Sequence, residues 1–332
     1  MKQPTKPVIA VDVGGTKILT ALFGADGKML DKDISPTLAL EGLEKTLARM
    51  FAIIETMLQR NHLPHAQLGA ISIAAAGGVD TNKGVVVTPS PHLPGWQNTW
   101  LADIFLSKFN VRTWVLNDAS AAALGEHLYG AGLGVKNLVL FTLGTGIGGG
   151  IIINSKLYLG AVGGAGELGH ITVEAHGPKC PCGNTGCLEM LVSGSAIERD
   201  VKERLACGEI SSLQKKPILA DTDEKADNKI TAEMVAAAAR RGDKLALEVI
   251  ARAAHYLGVG FVNVINIFNP ELIIYGGGLA ELGEMLVGPA VKMAEERPFS
   301  INARAVRIVK ASLSNEAGVY GAAAFALDMM RS

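Results

Sequence analysis

The chain has 332 residues, 48% hydrophobic and 19% charged, which excludes a disordered chain and is enough for two lobes with their own cores. Its formal net charge is -1, so no global field draws it to nucleic acid or anionic lipid; Lys215-Lys216 is the nearest approach to a basic run. The opening residues carry no apolar signal core, and Gly and Asn interrupt every apolar stretch before the roughly 18–20 residues of a membrane helix, so a cytoplasmic location is expected.

In chain order, residues 8–23 (VIAVDVGGTKILTALF) read as a hairpin: an apolar β-rich run, a glycine turn, a second apolar run. Residues 42–60 have helical spacing, with Leu43, Leu47, Met50, Ile53, Ile54 and Met57 on one face. A buried strand is expected at 68–75 and a shaped loop at 88–100, where Pro89, Pro91, Pro94 and Gly95 cluster. Val111–Leu116 is another strand, running into Asn117, Asp118 and an Ala-rich helix at 119–128. Residues 138–153 (LVLFTLGTGIGGGIII) repeat the first hairpin. Superposing the glycines sets Val11 against Phe141, Asp12 against Thr142 and Gly14 against Gly144, which suggests two related lobes facing a shared cleft. Residues 163–189 are rich in Gly and Cys without regular period, and 208–229 reads as a polar surface loop. Helices are expected at 231–240 and 244–267, a strand at 271–278 (ELIIYGGG), and a final Ala-rich helix that returns to the first lobe.

Successive glycines let backbone N–H groups converge on an anion without obstruction by side chains. Asp12-Val-Gly14-Gly15-Thr16-Lys17 supplies such a nest together with a carboxylate, a hydroxyl and an ammonium. The functional reading places ATP phosphates over Gly14–Lys17, with Asp12 holding Mg²⁺ through water. Taken alone, this motif is as readily a tight hairpin with an exposed lysine. A second motif at Gly144, Thr145 and Gly146 and a third run at Gly276, Gly277 and Gly278 turn the balance toward nucleotide. Gly144, Gly146 and Gly149 also satisfy G-x-G-x-x-G, but that fingerprint must open a helix. Here Ile151, Ile152 and Ile153 follow and favour a strand, so a Rossmann site is excluded.

Three of the four cysteines, Cys180, Cys182 and Cys187, fall within eight residues, on a glycine-containing loop that can curl. Cysteines so close are poorly placed to bridge one another, and a metal site is the better reading. Zinc takes four tetrahedral N/S ligands, and either His170 or His176 is near enough to be the fourth. A fully occupied tetrahedron leaves no place for water, so the role is expected to be structural.

The run Leu143–Gly150, then Gly163-Gly-Ala-Gly-Glu-Leu-Gly-His170, then CPCGNTGCLE at 180–189 resembles the signature of the ROK family with its zinc motif. DVGGTK at 12–17, Asn117-Asp118 and YGGGL at 275–279 fall in the same order as in that family. The resemblance spans essentially the whole chain. It implies an α/β, two-lobe actin/hexokinase-like (ribonuclease H-like) ATPase fold with a cleft between lobes, sugar phosphorylation, structural Zn²⁺ and a homodimer. The expected lobes are 1–117 with 316–332, and 118–315 carrying the zinc loop. The resemblance puts the catalytic base on Asp118, which by itself reads as the N-cap of the following helix. It puts sugar-hydroxyl contacts on Asn117, Glu167, His170 and Glu189, and it selects His170 over His176 as the metal ligand, one nitrogen for metal and the other for sugar.

Two places depart from the commoner pattern. Ala76-Gly77-Gly78 stands where Pro-Gly-Pro is expected, and His92 stands where Asn often precedes Leu-Pro-Gly-Trp. Both lie near the expected sugar pocket, to which Gly77 is assigned. The expected activity is transfer of the γ-phosphate of MgATP to the 6-hydroxyl of an aldohexose, glucose first, with fructose, mannose, N-acetylmannosamine and N-acetylglucosamine open. The alternatives are a sugar-responsive regulator, for which only about ten residues precede Asp12, and a silent sugar sensor, against which Asp12, Lys17 and Asp118 argue.

Overall fold

The computed structural model describes residues 6–90, 93–214, 230–303 and 306–331. His92, Lys215-Lys216 and most of the polar segment expected at 208–229 lie outside them. The chain falls into two compact units, one of residues 1–140, 149–166 and 311–332, the other of 141–148 and 167–310.

The first unit opens with β1 (Val8–Val13) and β2 (Lys17–Phe23), paired antiparallel, followed by β3 (Met29–Pro36) on the sheet edge. Helix α1 (Leu43–Arg60) leads to β4 (Ala70–Ala75), which lies parallel to β1. The two-residue strands β5 (Val79–Asp80) and β6 (Val85–Val86), helix α2 (Leu101–Phe109), β7 (Thr113–Asn117) and α3 (Asp118–Tyr129) follow. The five-stranded sheet runs β3-β2-β1-β4-β7. Period-two alternation decides its faces. Ile9, Val11 and Val13 point into a core with Met50, Ile54 and Met57 of α1 and Phe105 and Phe109 of α2, whereas Val8 and Ala10 join Val319, Ala322 and Ala326. The latter belong to the last helix of the chain, Ala317–Met329, which returns to this unit as expected.

Unlike the expected boundary between 117 and 118, the compact division keeps α3 in the first unit. The cause is its packing on that last helix. A methyl on Gly125 would overlap the Ala317 carbonyl, and one on Gly321 the Ala121 carbonyl, so the two backbones touch. Glu126, fully buried on α3, also accepts hydrogen bonds from Leu313 N at 2.7 Å, Ala131 N at 2.8 Å and Ser312 Oγ at 3.2 Å.

The second sheet comprises β8 (Leu138–Leu143), β9 (Ile147–Ile153), β10 (Lys156–Leu157), β11 (Leu272–Gly276) and β12 (Arg307–Lys310). Its order, β10-β9-β8-β11-β12, repeats the third-second-first-fourth-fifth order of the first sheet. Strands β1 and β8 even share one burial pattern, with Asp12 and Thr142 at the single half-buried position. That Ile147–Ile153 is a strand agrees with the exclusion of a dinucleotide fingerprint.

The helices of the second unit are α4 (Glu189–Val192), α5 (Gly194–Ala206), α6 (Ala232–Arg240), α7 (Lys244–Phe268), α8 (Val287–Glu296) and the short α9 (Ser300–Ala303); α10 is the returning helix Ala317–Met329. Asp243 caps α7 by accepting from Ala246 N at 3.0 Å. Although burial opposes it, the bonds from Ala246, Ser212 and Ser211 hold that carboxyl down to about 2. One sequence expectation is corrected here. By length and composition α7 is apolar enough to cross a membrane, because Gly258, Gly260 and Asn263 do not lower its mean hydropathy sufficiently. Most of its apolar residues are instead buried, including Leu257, Phe261, Val264 and Ile265, so it packs as a core helix.

Candidate active site

In the first unit, the ends of β1, β4 and β7 bring five expected residues or groups together. The β1–β2 turn carries Gly14, Gly15, Thr16 and Lys17 and is closed by Gly14 N donating to Lys17 O at 3.1 Å. Thr37, which the sequence reading missed, braces it twice. Its N–H donates to Thr16 O at 3.0 Å and its hydroxyl to Gly14 O at 2.6 Å. Asp12 precedes the turn. Burial pushes its carboxyl up to about 7, the nearby Asp118 charge adds to the rise, and Lys17 partly offsets it. A methyl on Gly318 of α10 would overlap Asp12 Oδ2, so glycine at that position makes room for the carboxylate.

Asn117 ends β7 in extended conformation and caps α3, its Oδ1 accepting from Ser120 N at 3.0 Å. The cap is therefore Asn117. Asp118 is the first residue of the helix, its Oδ1 accepting from Ala119 N at 2.8 Å and from Asn117 Nδ2 at 3.1 Å. Asn117 Nδ2 also reaches Gly77 O at 3.0 Å. Gly77 has φ +101°, a left-handed value that explains glycine there whatever its neighbours are.

In the second unit the β8–β9 turn is closed by Gly144 N donating to Gly146 O at 2.9 Å. Four supports surround it. Gly148 N donates to Thr142 Oγ1 at 3.1 Å, Gly194 N at the start of α5 donates to Gly144 O at 2.9 Å, and Ile147 N donates to Glu189 Oε2 at 2.8 Å. Gly277, at φ +92°, sits so tightly on Leu143 that a methyl would overlap its carbonyl, which brings the Gly276–Gly278 run beside the turn. Glu167 precedes and His170 ends a 3₁₀ turn at Leu168–His170. Desolvation raises the Glu167 carboxyl, His170 offsets this and Glu189 adds to it. Glu167 remains solvent-exposed, so the shift carries little stability.

The metal reading is met geometrically. His170, Cys180, Cys182 and Cys187 place their ligand atoms within 4.8 Å of one another. Cys182 Sγ and Cys187 Sγ are 3.7 Å apart, and Cys180 Sγ is 3.6 Å from His170 Nδ1. A tetrahedron with metal–sulfur bonds of about 2.3 Å and metal–nitrogen bonds of about 2.05 Å has edges of about 3.8 and 3.6 Å, so these residues fit Zn²⁺. His170 is the histidine brought to the thiols; the backbone N–H of His176 donates to Glu174 Oε1 at 3.3 Å. The loop is shaped by Cys180 N donating to Asn184 O at 2.8 Å and by Gly186, where any side chain would collide with the Glu174 carbonyl. Burial pushes the Cys187 thiol up to about 12 and raises Cys180, whereas the backbone at Asn184 lowers Cys182. A cation binding here must displace protons.

Every expected site residue therefore falls into one of two groups, each assembled within its own unit. Sequence reasoning missed Thr37, Thr142 and Gly318. For Thr142 a signal was present, since the repeated hairpin aligns it with Asp12; for Thr37 and Gly318 none was.

Glycine turns on matched strand ends and a His–Cys₃ loop define a class. The chain belongs to the ROK family, whose model matches residues 8–329. It is 37% identical over 320 residues to the glucokinase of Thermotoga maritima, covering 96% of this chain and 97% of that one. It is 32% identical over 326 residues to the xylose repressor of Caldicellulosiruptor bescii, covering 98% of this chain and 79% of the repressor. Among solved structures it is similar to a ROK family glucokinase from Streptomyces griseus in complex with glucose and AMPPNP, at TM-score 0.75 and 32% identity, over 96% of this chain and 98% of that one. The α/β architecture is that of the hexokinase-like ATPases.

Proposed function

We propose that this chain is an ATP-dependent glucokinase that transfers the γ-phosphoryl group of MgATP to the 6-hydroxyl of glucose. The observation that carries the reading is the register of the parallel strands β1, β4 and β7, in which Asp12 aligns with Ala74 and Leu116, so that Asp118 at the head of α3 follows the same sheet end that carries Asp12 and the Gly14–Lys17 turn. In this reading Asp118 accepts the hydroxyl proton as the sugar oxygen attacks phosphorus. Asp12 holds Mg²⁺ through water, and the cation relieves the cost of an ionised, buried carboxylate. Gly14, Gly15, Thr16 and Lys17 in the first unit, and Gly144, Thr145, Gly146 and Gly276–Gly278 in the second, contact the nucleotide through backbone N–H groups, the Thr hydroxyls and the Lys17 ammonium. Asn117, Gly77, Glu167, His170 and Glu189 contact the sugar, His170 offering Nε2 while Nδ1 faces the metal. Zn²⁺ bound by His170, Cys180, Cys182 and Cys187 has no open position and serves structure. Assembly as a homodimer belongs to the same proposal, and sedimentation at micromolar concentration tests it.

The glucokinase relatives support glucose as acceptor. A coupled ADP-release assay with glucose, mannose, fructose, N-acetylglucosamine and N-acetylmannosamine tests the reading. Release with glucose at the highest kcat/KM is expected, and release no faster than the sugar-free blank with every sugar overturns it. The similarity to a xylose repressor favours a second reading, sugar-responsive regulation, which predicts sugar binding with no ADP release.

A further inference from the structure

Glu189 stands among the sugar contacts, yet its carboxylate is committed to the phosphate turn. Oε2 accepts from Ile147 N at 2.8 Å, and a methyl on Gly146 would lie 2.5 Å from the same oxygen. Its other oxygen, Oε1, accepts no hydrogen bond among the described residues. The opposite side of Ile147 is fixed as well. Its carbonyl lies so close to Gly169 that any side chain at Gly169 would overlap it. Gly169 sits between Leu168 and His170, two residues after Glu167. Glu189 and the short turn between Glu167 and His170 thus both abut Ile147 of the β8–β9 turn. The segment running on from Glu189 grips the turn again, through Gly194 N to Gly144 O at 2.9 Å and Ser195 N to Thr145 O at 3.4 Å.

We propose that Glu189 is a positioning residue for the Gly144–Ile147 turn and that, through it, sugar occupancy and nucleotide affinity are coupled. A sugar hydroxyl bound at Oε1 fixes the carboxylate, which fixes the Ile147 N–H and so the orientation of the Gly144–Gly146 N–H groups toward phosphate. Coupling of this kind is reciprocal: nucleotide tightens sugar by the same factor that sugar tightens nucleotide. The inference rests on the nucleotide reading of the turn, which is tested separately below.

The assay is calorimetric binding of a non-hydrolysable ATP analogue with Mg²⁺, measured without sugar and with saturating glucose. For Glu189→Ala, affinity in the sugar-free protein should fall about tenfold, the usual scale for losing a charge-assisted hydrogen bond, and glucose should no longer alter it. Glu189→Gln keeps a carbonyl that can accept from Ile147 N, so its sugar-free nucleotide affinity should stay within about twofold of wild type. A residue that only touched sugar would leave sugar-free nucleotide affinity unchanged in both variants, and that result overturns the proposal. So does a Gln variant that falls as far as the Ala variant. If Glu189→Ala does not fold, Glu189→Asp, which withdraws the oxygen by one methylene, carries the same expectation. Gly278→Asp controls for the nucleotide reading. A Cβ there meets nothing within 4 Å, so the protein should fold, while an added carboxylate should repel phosphate. Wild-type affinity in that variant would remove the nucleotide reading, and this inference with it.

Discussion

Asp12→Asn should make the ligand-free protein more stable at neutral and alkaline pH, although the mutation removes the carboxylate proposed to hold Mg²⁺. The carboxyl of Asp12 goes from an ordinary 3.8 in the unfolded chain to about 7 in the folded one, chiefly through burial and secondarily through Asp118. A raised acid pKa means the folded state holds its proton more tightly. Stability is therefore full below pH 3.8, is lost progressively as the unfolded chain ionises alone, and stops falling once the folded carboxyl has ionised above about 7. At about 1.4 kcal/mol per pH unit, the ceiling on that loss is about 4 kcal/mol; water reaching a half-buried side chain brings it to about 2–3 kcal/mol. Asparagine does not titrate, so the difference between variant and wild type should widen by about 2 kcal/mol from pH 5 to pH 8. Urea unfolding at several pH values, without nucleotide or divalent cation, measures it. Saturating MgATP analogue should then restore wild type over the variant at pH 8. Parallel pH–stability curves for the two proteins would show that Asp12 does not titrate abnormally and would refute the argument.

Asp118→Asn should lower kcat by about two to four orders of magnitude while glucose still binds, because the proposed base is lost and little volume changes; steady-state kinetics beside equilibrium sugar binding checks both halves. Cys182→Ser should lose Zn²⁺ and several degrees of Tm together, read by metal analysis and thermal unfolding, and a zinc-free protein of unchanged Tm would contradict a structural role. Since burial raises the Cys180 and Cys187 thiols, Zn²⁺ affinity should weaken as pH falls, with protons released on binding in a calorimeter. Gly318→Ala should displace the Asp12 carboxylate and raise the Mg²⁺ concentration needed for half-maximal rate, with a smaller change in the KM for glucose; equal Mg²⁺ dependence would show that the carboxylate tolerates the methyl.

Much of the fold was legible because its elements are strongly periodic. The expected helices at 42–60 and 244–267 appear at Leu43–Arg60 and Lys244–Phe268, and the duplicated hairpin, read as a sign of two related halves, supplies the first two strands of each of two sheets whose matching order the sequence did not indicate. What escaped depended on contacts between distant parts of the chain. The assignment of α3 to the first unit comes from Gly125 and Gly321, which read in sequence as mere weak points in Ala-rich helices. The cap of α3 was shifted by one residue because Asn and Asp are both good caps, and only the backbone angle at Asn117 decides between them. Thr37 and Gly318 lie 20 or more residues from the turn they serve and carry no local signature. At the metal loop, spacing admitted two histidines, and the meeting of His170 Nδ1 with Cys180 Sγ resolves the choice.

The shared burial pattern of β1 and β8 bears on how a doubled architecture acquires a direction. The same station in two like-ordered sheets holds a carboxylate in one, Asp12, and a hydroxyl in the other, Thr142, already engaged with Gly148 N. At this station the two copies of one plan are chemically unequal: one carries a carboxyl that can take or release a proton, the other a neutral hydroxyl whose lone pair is already occupied by a backbone donor.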